Sequence, residues 1–227
     1  MDILLTTDFW AALGSIILAN VLLSGDNAVV IAMAARGLPA HQQKKAIVFG
    51  SGAAIVMRIV LTLIAVKMLG LPWLKLAGGL ALLWIGANLM SDEEHQHDRE
   101  AKPIGVGAAI RTILLADLVM SLDNVLAVAA AAQGNTLLLV IGLAVSIPLI
   151  VFGSTLILKV MERFPVIITA GAALLGWLAG EMMLTDPAIH RWFAEVPESA
   201  VRVAGVIGAV LVVIVGKLLQ RRAKSRA

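Results

Sequence analysis

Two short stretches set acids and amides inside otherwise apolar sequence. Ser24-Gly25-Asp26-Asn27 lies within "ILANVLLSGDNAVVIAMAA", and Ser121-Leu122-Asp123-Asn124 lies within "LLADLVMSLDNVLAVAAAA". Asp117 and Glu181 add two more acids to apolar segments, and Arg58 adds the one base. A charge at the centre of a membrane helix costs about 2.5–3.5 kcal/mol even on the lenient insertion scale. Arg58 can neutralise one carboxylate. The other acids must be protonated, stand close to water, or bind a cation. Burial raises a carboxylate pKa and a nearby cation lowers it, so such a cluster suits exchange of protons against metal. Asn20, Asn27, Asn88 and Asn124 add neutral oxygen ligands, with Ser24 and Ser121 beside them.

Donor type narrows the cation. The chain has no Cys, and its four histidines (His41, His95, His97, His190) fall in expected loops. Carboxylate, amide and hydroxyl oxygens are hard ligands that suit magnesium, calcium or manganese, whereas copper and zinc favour thiolate or imidazole. Thioethers from Met33, Met57, Met120, Met182 and Met183 are within reach by sequence, but packing or lipid contact is the commoner use of a membrane methionine. The absence of Cys also removes thiolate catalysis and disulfides. Nothing resembles a nucleotide-binding loop or a resident cofactor site, and no enzyme activity is expected.

The elements that must position these groups are membrane helices. The 227 residues are 60% hydrophobic, with a mean hydropathy of +0.95. Seven stretches are long enough to cross a bilayer, near 9–35, 46–68, 72–90, 108–132, 136–158, 164–184 and 199–219. The expected fold is an all-α polytopic membrane protein in a single transmembrane domain over 1–227. Lys and Arg gather in alternate loops and in the tail "GKLLQRRAKSRA". By the positive-inside rule this puts the N-terminus outside and the C-terminus in the cytoplasm, in the cytoplasmic (inner) membrane. The net charge of +3 therefore encodes topology, and no nucleic-acid partner is expected. The acidic N-terminus lacks the basic region of a signal peptide, so the first span is expected to be retained.

The chain also repeats itself. Residues 19–37 and 116–134 share eight of nineteen positions at a shift of 97, including Ser24/Ser121, Asp26/Asp123 and Asn27/Asn124. Residues 71–90 and 164–183 align at a shift of 93 through Pro72/Pro165, Gly78/Gly171, Leu82/Leu175 and Trp84/Trp177. Asn20 then falls over Asp117, and Asn88 over Glu181. Two units of three helices follow, repeat 1 at 9–90 and repeat 2 at 104–184, joined by a cytoplasmic linker at 91–103. The seventh helix at 199–219 is an addition. An odd helix count per unit makes the second copy enter from the opposite side, giving an inverted 3+3 repeat with its site near the midplane.

Helix geometry constrains the site. Asp117 and Asp123 are six residues apart, about 9 Å of rise and about 240° of rotation in an unbroken helix. They form two levels of one pathway, or the helix is interrupted between them. Gly25 permits such a break in the first copy, whereas Leu122 occupies that place in the second. Trp10, Trp73 and Trp192 stand near span ends, as interfacial anchors do. Trp84 and Trp177 are expected to pack. The linker "SDEEHQHDREAK" reads as a solvated connection between the halves, and 185–199 as an external loop with a short amphipathic piece.

The phrases "SGDNAVVIAMAARGLP" and "DLVMSLDNVLAVAAAA" resemble the TerC family of integral membrane proteins, over essentially the whole chain. That family is grouped with a superfamily of lysine and cation exporters built from three-helix repeats. The resemblance implies manganese(II) export by alternating access, with manganese as substrate and the bilayer as partner. Asp26 and Asp123 match the family's motif acids, Asn27 and Asn124 the adjacent amides, and Asp117 the acid before the second motif. Asn20 departs from a position where relatives often carry an acid. The metal set is thus Asp26, Asn27, Asp117, Asp123, Asn124, Glu181, Asn20 and Asn88. Alternatives are export of calcium, protons or an amino acid, or a non-transporting partner of the secretion machinery that supports metalation of exported proteins. A homo-oligomer is compatible with either reading.

Overall fold

A computed structural model describes residues 10, 13–18, 25–68, 71–91, 105–131, 135–190 and 196–224. Among them the regular structure is helical, with no strand. The helices are α1 (Gly25–Arg36), α2 (Ala40–Met68), α3 (Leu74–Ser91), α4 (Val106–Ala131), α5 (Thr136–Arg163), α6 (Val166–Leu184) and α7 (Glu198–Lys224). A short helical segment at 13–18 precedes them, and a single turn, Pro187–His190, links α6 towards α7.

Local chemistry sets the helix starts. Pro39 opens α2, its carbonyl accepting from Gln42 N at 2.7 Å and Gln43 N at 3.0 Å. Asn135 caps α5, its side chain accepting from Leu138 N at 3.1 Å, as an amide at this position does. Pro165 precedes α6, where its fixed φ suits helix entry and its missing N–H costs nothing. Pro148 lies inside α5, which continues through it. Helix α2 begins six residues before its expected apolar span, because "AHQQKK" is polar yet composed of competent helix formers. Helix α5 likewise runs on to Arg163.

Among the described residues, five helices are long and apolar enough to cross a membrane: α2, α3, α5, α6 and α7. Helix α4 has 26 residues, about 39 Å of length, and carries the polar motif. It passes unbroken through Leu122, so the second motif sits on an intact helix. The first motif straddles the start of α1, and residues 19–24 lie outside the described set.

The helices pack as two groups. Helices α1, α2, α4 and α5 contact one another, and α3, α6 and α7 form a second cluster. Across the seam, α1 meets α6, α3 meets α4, and α5 touches α6. Repeat-related glycines stand at two of these crossings. A Cβ on Gly78 would lie 2.9 Å from Val119 Cγ1, and one on Gly171 would lie 2.8 Å from Val29 Cγ1. Within the second cluster, α6 and α7 meet backbone to backbone: a Cβ on Gly180 would lie 2.0 Å from the Ala204 carbonyl oxygen, and one on Gly208 would lie 2.1 Å from that of Gly176. Small residues allow this close approach, which in lipid replaces hydrophobic burial as the glue between helices. The outer face of α7 exposes Val203, Val206, Ile207, Val210 and Ile214, a surface suited to acyl chains.

Trp10 and Trp73 are exposed near helix ends, as anchors would be, whereas Trp192 lies outside the described residues. Trp177 packs against Gly205 of α7. Trp84 departs from its expected role: it is 64% exposed, on the outer face of α3, because the seventh helix covers only its counterpart's side of the cluster.

Candidate functional site

A cavity of about 420 Å³ opens on the seam at one end of the bundle. Asp26 of α1 and Met120 and Asn124 of α4 line it from one cluster. Glu181, Met182, Leu178 and Leu82 line it from α6 and α3. Lys75, Thr185, Glu198, Val201 and Arg202 surround its outer part, where Arg202 pairs with Glu198 at 2.6 Å with both side chains largely exposed. At about 30 Å³ per water, the cavity has room for roughly a dozen waters, more than a hydrated divalent ion needs. Among the described residues no three acids or imidazoles form a ready-made metal cluster.

The sequence-derived residues divide into distinct groups. Asp26, Asn124 and Glu181 meet in the cavity. Asp123 has helical backbone beside Asn124, with its side chain outside the described set, and Asn20 lies wholly outside it. Asn88 is half-buried in α3 and does not line the cavity. Asn27 is 2% exposed, and both atoms of its amide lack a hydrogen-bond partner among the described residues. Asn27 is not among the residues that line the cavity. The carboxylate of Asp26 turns back to accept from the Asn27 backbone N–H at 2.8 Å.

Asp117 is placed elsewhere. Its carboxylate pairs with the Arg58 guanidinium, Nη2 donating to Oδ1. Arg58 Nε donates to Ser121 Oγ at 3.0 Å, and Ser121 Oγ donates to Asp117 Oδ2 at 3.2 Å. Arg58, Asp117 and Ser121 are 1%, 5% and 0% exposed, buried together at the α2–α4 crossing. Asp117 is not among the cavity residues. The sequence supplied Arg58 as a counter-ion without indicating which acid it would take.

Sequence reading missed Asp186, which is 0% exposed. Its Oδ1 accepts from Trp73 N at 2.9 Å and Ala188 N at 2.7 Å, and its Oδ2 accepts from Leu76 N at 2.9 Å. One carboxylate thus caps both its own helical turn and the start of α3, tying two sides of the cavity mouth together. Trp73 has a φ of 72°, a left-handed conformation rare for a bulky residue, and its N–H is one of the bonds held. Desolvation pushes the Asp186 carboxyl up, but hydrogen bonds from the backbone of Ala188, Leu76, Trp73 and Lys75 outweigh it and hold the pKa below the usual carboxylate value. The signal was "TDP": an acid before a proline that opens a turn.

Comparison with known proteins agrees with this architecture. Residues 5–224 match the integral membrane protein TerC family. The chain is 45% identical over 189 residues to the uncharacterized membrane protein YjbE of Bacillus subtilis, covering 83% of this chain and 86% of that one. It is 27% identical over 199 residues to YceF of the same organism, covering 84% of this chain and 75% of that one. It is 26% identical over 176 residues to the inner membrane protein YgdQ of Escherichia coli, covering 69% of this chain and 73% of that one. No solved structure matches. With its multi-pass helical fold and a family match over nearly its full length, the chain belongs to the TerC family of integral membrane proteins.

Proposed function

We propose that the protein is a secondary transporter that exports manganese(II) across the cytoplasmic membrane by alternating access. The observation that carries this reading is the cavity that joins Asp26 of the first half to Asn124 and Glu181 of the second. Asp26, Glu181 and Asp123 would supply carboxylates, and Asn124 an amide oxygen. Asn27, next to Asp26 in the chain, would add a second amide. Such hard oxygen donors suit manganese, and Met120 and Met182 offer softer thioethers in the same cavity.

Seven spans in an inverted repeat are part of this proposal. In its support, Ile113 of α4 fits against Gly50 of α2, where a Cβ would lie 2.7 Å from its Cδ1. Ile16 fits against Gly142 of α5, where a Cβ would lie 2.4 Å from its Cγ2. Ile16 and Ile113 are repeat-related at the shift of 97, so the same contact between the halves is made twice, once in each direction. Under the orientation drawn from Lys and Arg placement, the cavity mouth faces outside. The described conformation is then outward-open. The driving force would be an ion gradient or the membrane potential.

The test is manganese flux in proteoliposomes of the pure protein, with and without a pH gradient, and with calcium as competitor. Asp26→Asn and Glu181→Gln should abolish flux while the protein still inserts. Normal flux from both variants refutes the site, and calcium transport in preference to manganese refutes the substrate.

A further inference from the structure

We propose that Arg58 is a positioning residue that withholds Asp117 from the transported cation, so that Asp26 and its cavity neighbours carry the binding. This rests on the transport reading above and refines its ligand set. Four observations lead to it.

First, Asp117, Ser121 and Asn124 lie on one stripe of α4. Seven residues in an unbroken helix bring the chain back to within about 20° of the same face and about 10 Å along the axis. Asp117 therefore lies on the stripe that reaches the cavity at Asn124, two turns deeper. Second, the carboxylate is already engaged on both oxygens, by Arg58 on Oδ1 and Ser121 on Oδ2. Third, Arg58 and Asp117 both lie within electrostatic range of Asp26. As a pair they contribute almost no net charge there; separated, they would contribute a full charge of either sign.

Fourth, the sequence repeat matches these two positions with residues that carry no charge. Counting from the mirrored contacts of Gly50 and Gly142, the position of Arg58 corresponds to Ile150, and that of Asp117 corresponds to Asn20. Both charges are replaced together, one by an apolar group and one by an amide. A buried ion pair is often no more stabilising than apolar residues of similar volume, whereas removing one partner is strongly destabilising. Packing alone thus does not require the pair on this side. Its use is electrostatic: it fixes the charge that Asp26 experiences while leaving Asp117 chemically occupied.

The experiment compares manganese flux and its KM for wild type, Asp26→Asn, Asp117→Asn, Arg58→Ile, and the double variant Arg58→Ile/Asp117→Asn. Wild-type flux tests the transport reading by itself; the variants, measured against wild type, test the role of Arg58. Arg58→Ile alone should lose most flux. The double variant, which copies the repeat-related residues Ile150 and Asn20, should recover flux with a KM within about threefold of wild type, while Asp26→Asn stays inactive. A double variant that inserts but is as impaired as Asp26→Asn overturns the proposal, because Asp117 would then bind the cation directly.

Because a double variant can fail to insert, the wild-type protein gives an independent reading. Carboxyl modification by a carbodiimide, mapped by mass spectrometry, is compared with and without manganese. Protection should extend to Asp26 and leave Asp117 unchanged. Manganese protection of Asp117 overturns the proposal.

Discussion

Removing the Asp186 carboxylate should loosen the mouth of the cavity, and the size of the effect follows from its bonds. It accepts backbone N–H groups of Trp73, Leu76 and Ala188 at 2.7–2.9 Å. A hydrogen bond to a charged group contributes about 1.5–3 kcal/mol net. Three such bonds would sum to more than 4, but N–H groups released near the membrane boundary regain water. We expect Asp186→Ala to destabilise by about 3 kcal/mol, a fall of roughly 6–12 °C in Tm for a chain of this size. Asp186→Asn should cost less, since its amide oxygen keeps the Trp73 and Ala188 bonds and loses only that of Leu76. The assay is thermal unfolding of the purified protein in detergent at several pH values. The folded pKa of Asp186 is depressed, so its stabilisation is fully present above the unfolded value of about 3.9. It is lost as pH falls through the folded value. The gap between wild type and Asp186→Ala should thus be constant from pH 8 to 5 and close below pH 4. A Tm within about 2 °C of wild type at pH 7, or a gap that persists unchanged at pH 3, would refute the reasoning.

Other expectations follow from the same packing. Asn27→Leu should abolish manganese flux and leave thermal stability equal or higher, since it removes a buried amide with no described partner; retained flux would assign Asn27 a purely structural role. Gly180→Leu should undock α7, because even its Cβ would lie 2.0 Å from the Ala204 carbonyl oxygen; overpacking of about 1–3 kcal/mol or more should appear as a lower Tm and as faster proteolysis between α6 and α7. Gly78→Ala and Gly171→Ala should insert normally but slow flux, because each Cβ would press on a side chain across the seam; flux at the wild-type rate from both would show that the seam does not move.

Part of the candidate site was legible because its residues obey a repeat in the sequence. Asp26 and Asn124 come from the doubled motif, and Glu181 from the aligned third helices; the cavity brings all three together. The spacing of Asp117 and Asp123 left open a break between them, and α4 is unbroken there. What the sequence did not reveal depends on contacts between helices far apart in the chain. Arg58 and Asp117 are 59 residues apart, and no local pattern tells a guanidinium which of four acids it will meet. Asp186 reaches Trp73 across 113 residues. The exposure of Trp84 depends on where α7 docks, and α7 has no counterpart in the repeat.

On the transport proposal, the division into two helix clusters gives the substrate a mechanical part to play. Asp26 and Asn124 belong to one cluster and Glu181 to the other, with the cavity between them. An ion that engages both sides is a fastener whose presence draws the clusters together and whose departure frees them. The crossings at Gly78 and Gly171, where side chains of the neighbouring helix press against a glycine, would then be the bearings on which that movement turns. Export would not need a separate engine to couple binding to motion; the cargo itself would latch and release the machine.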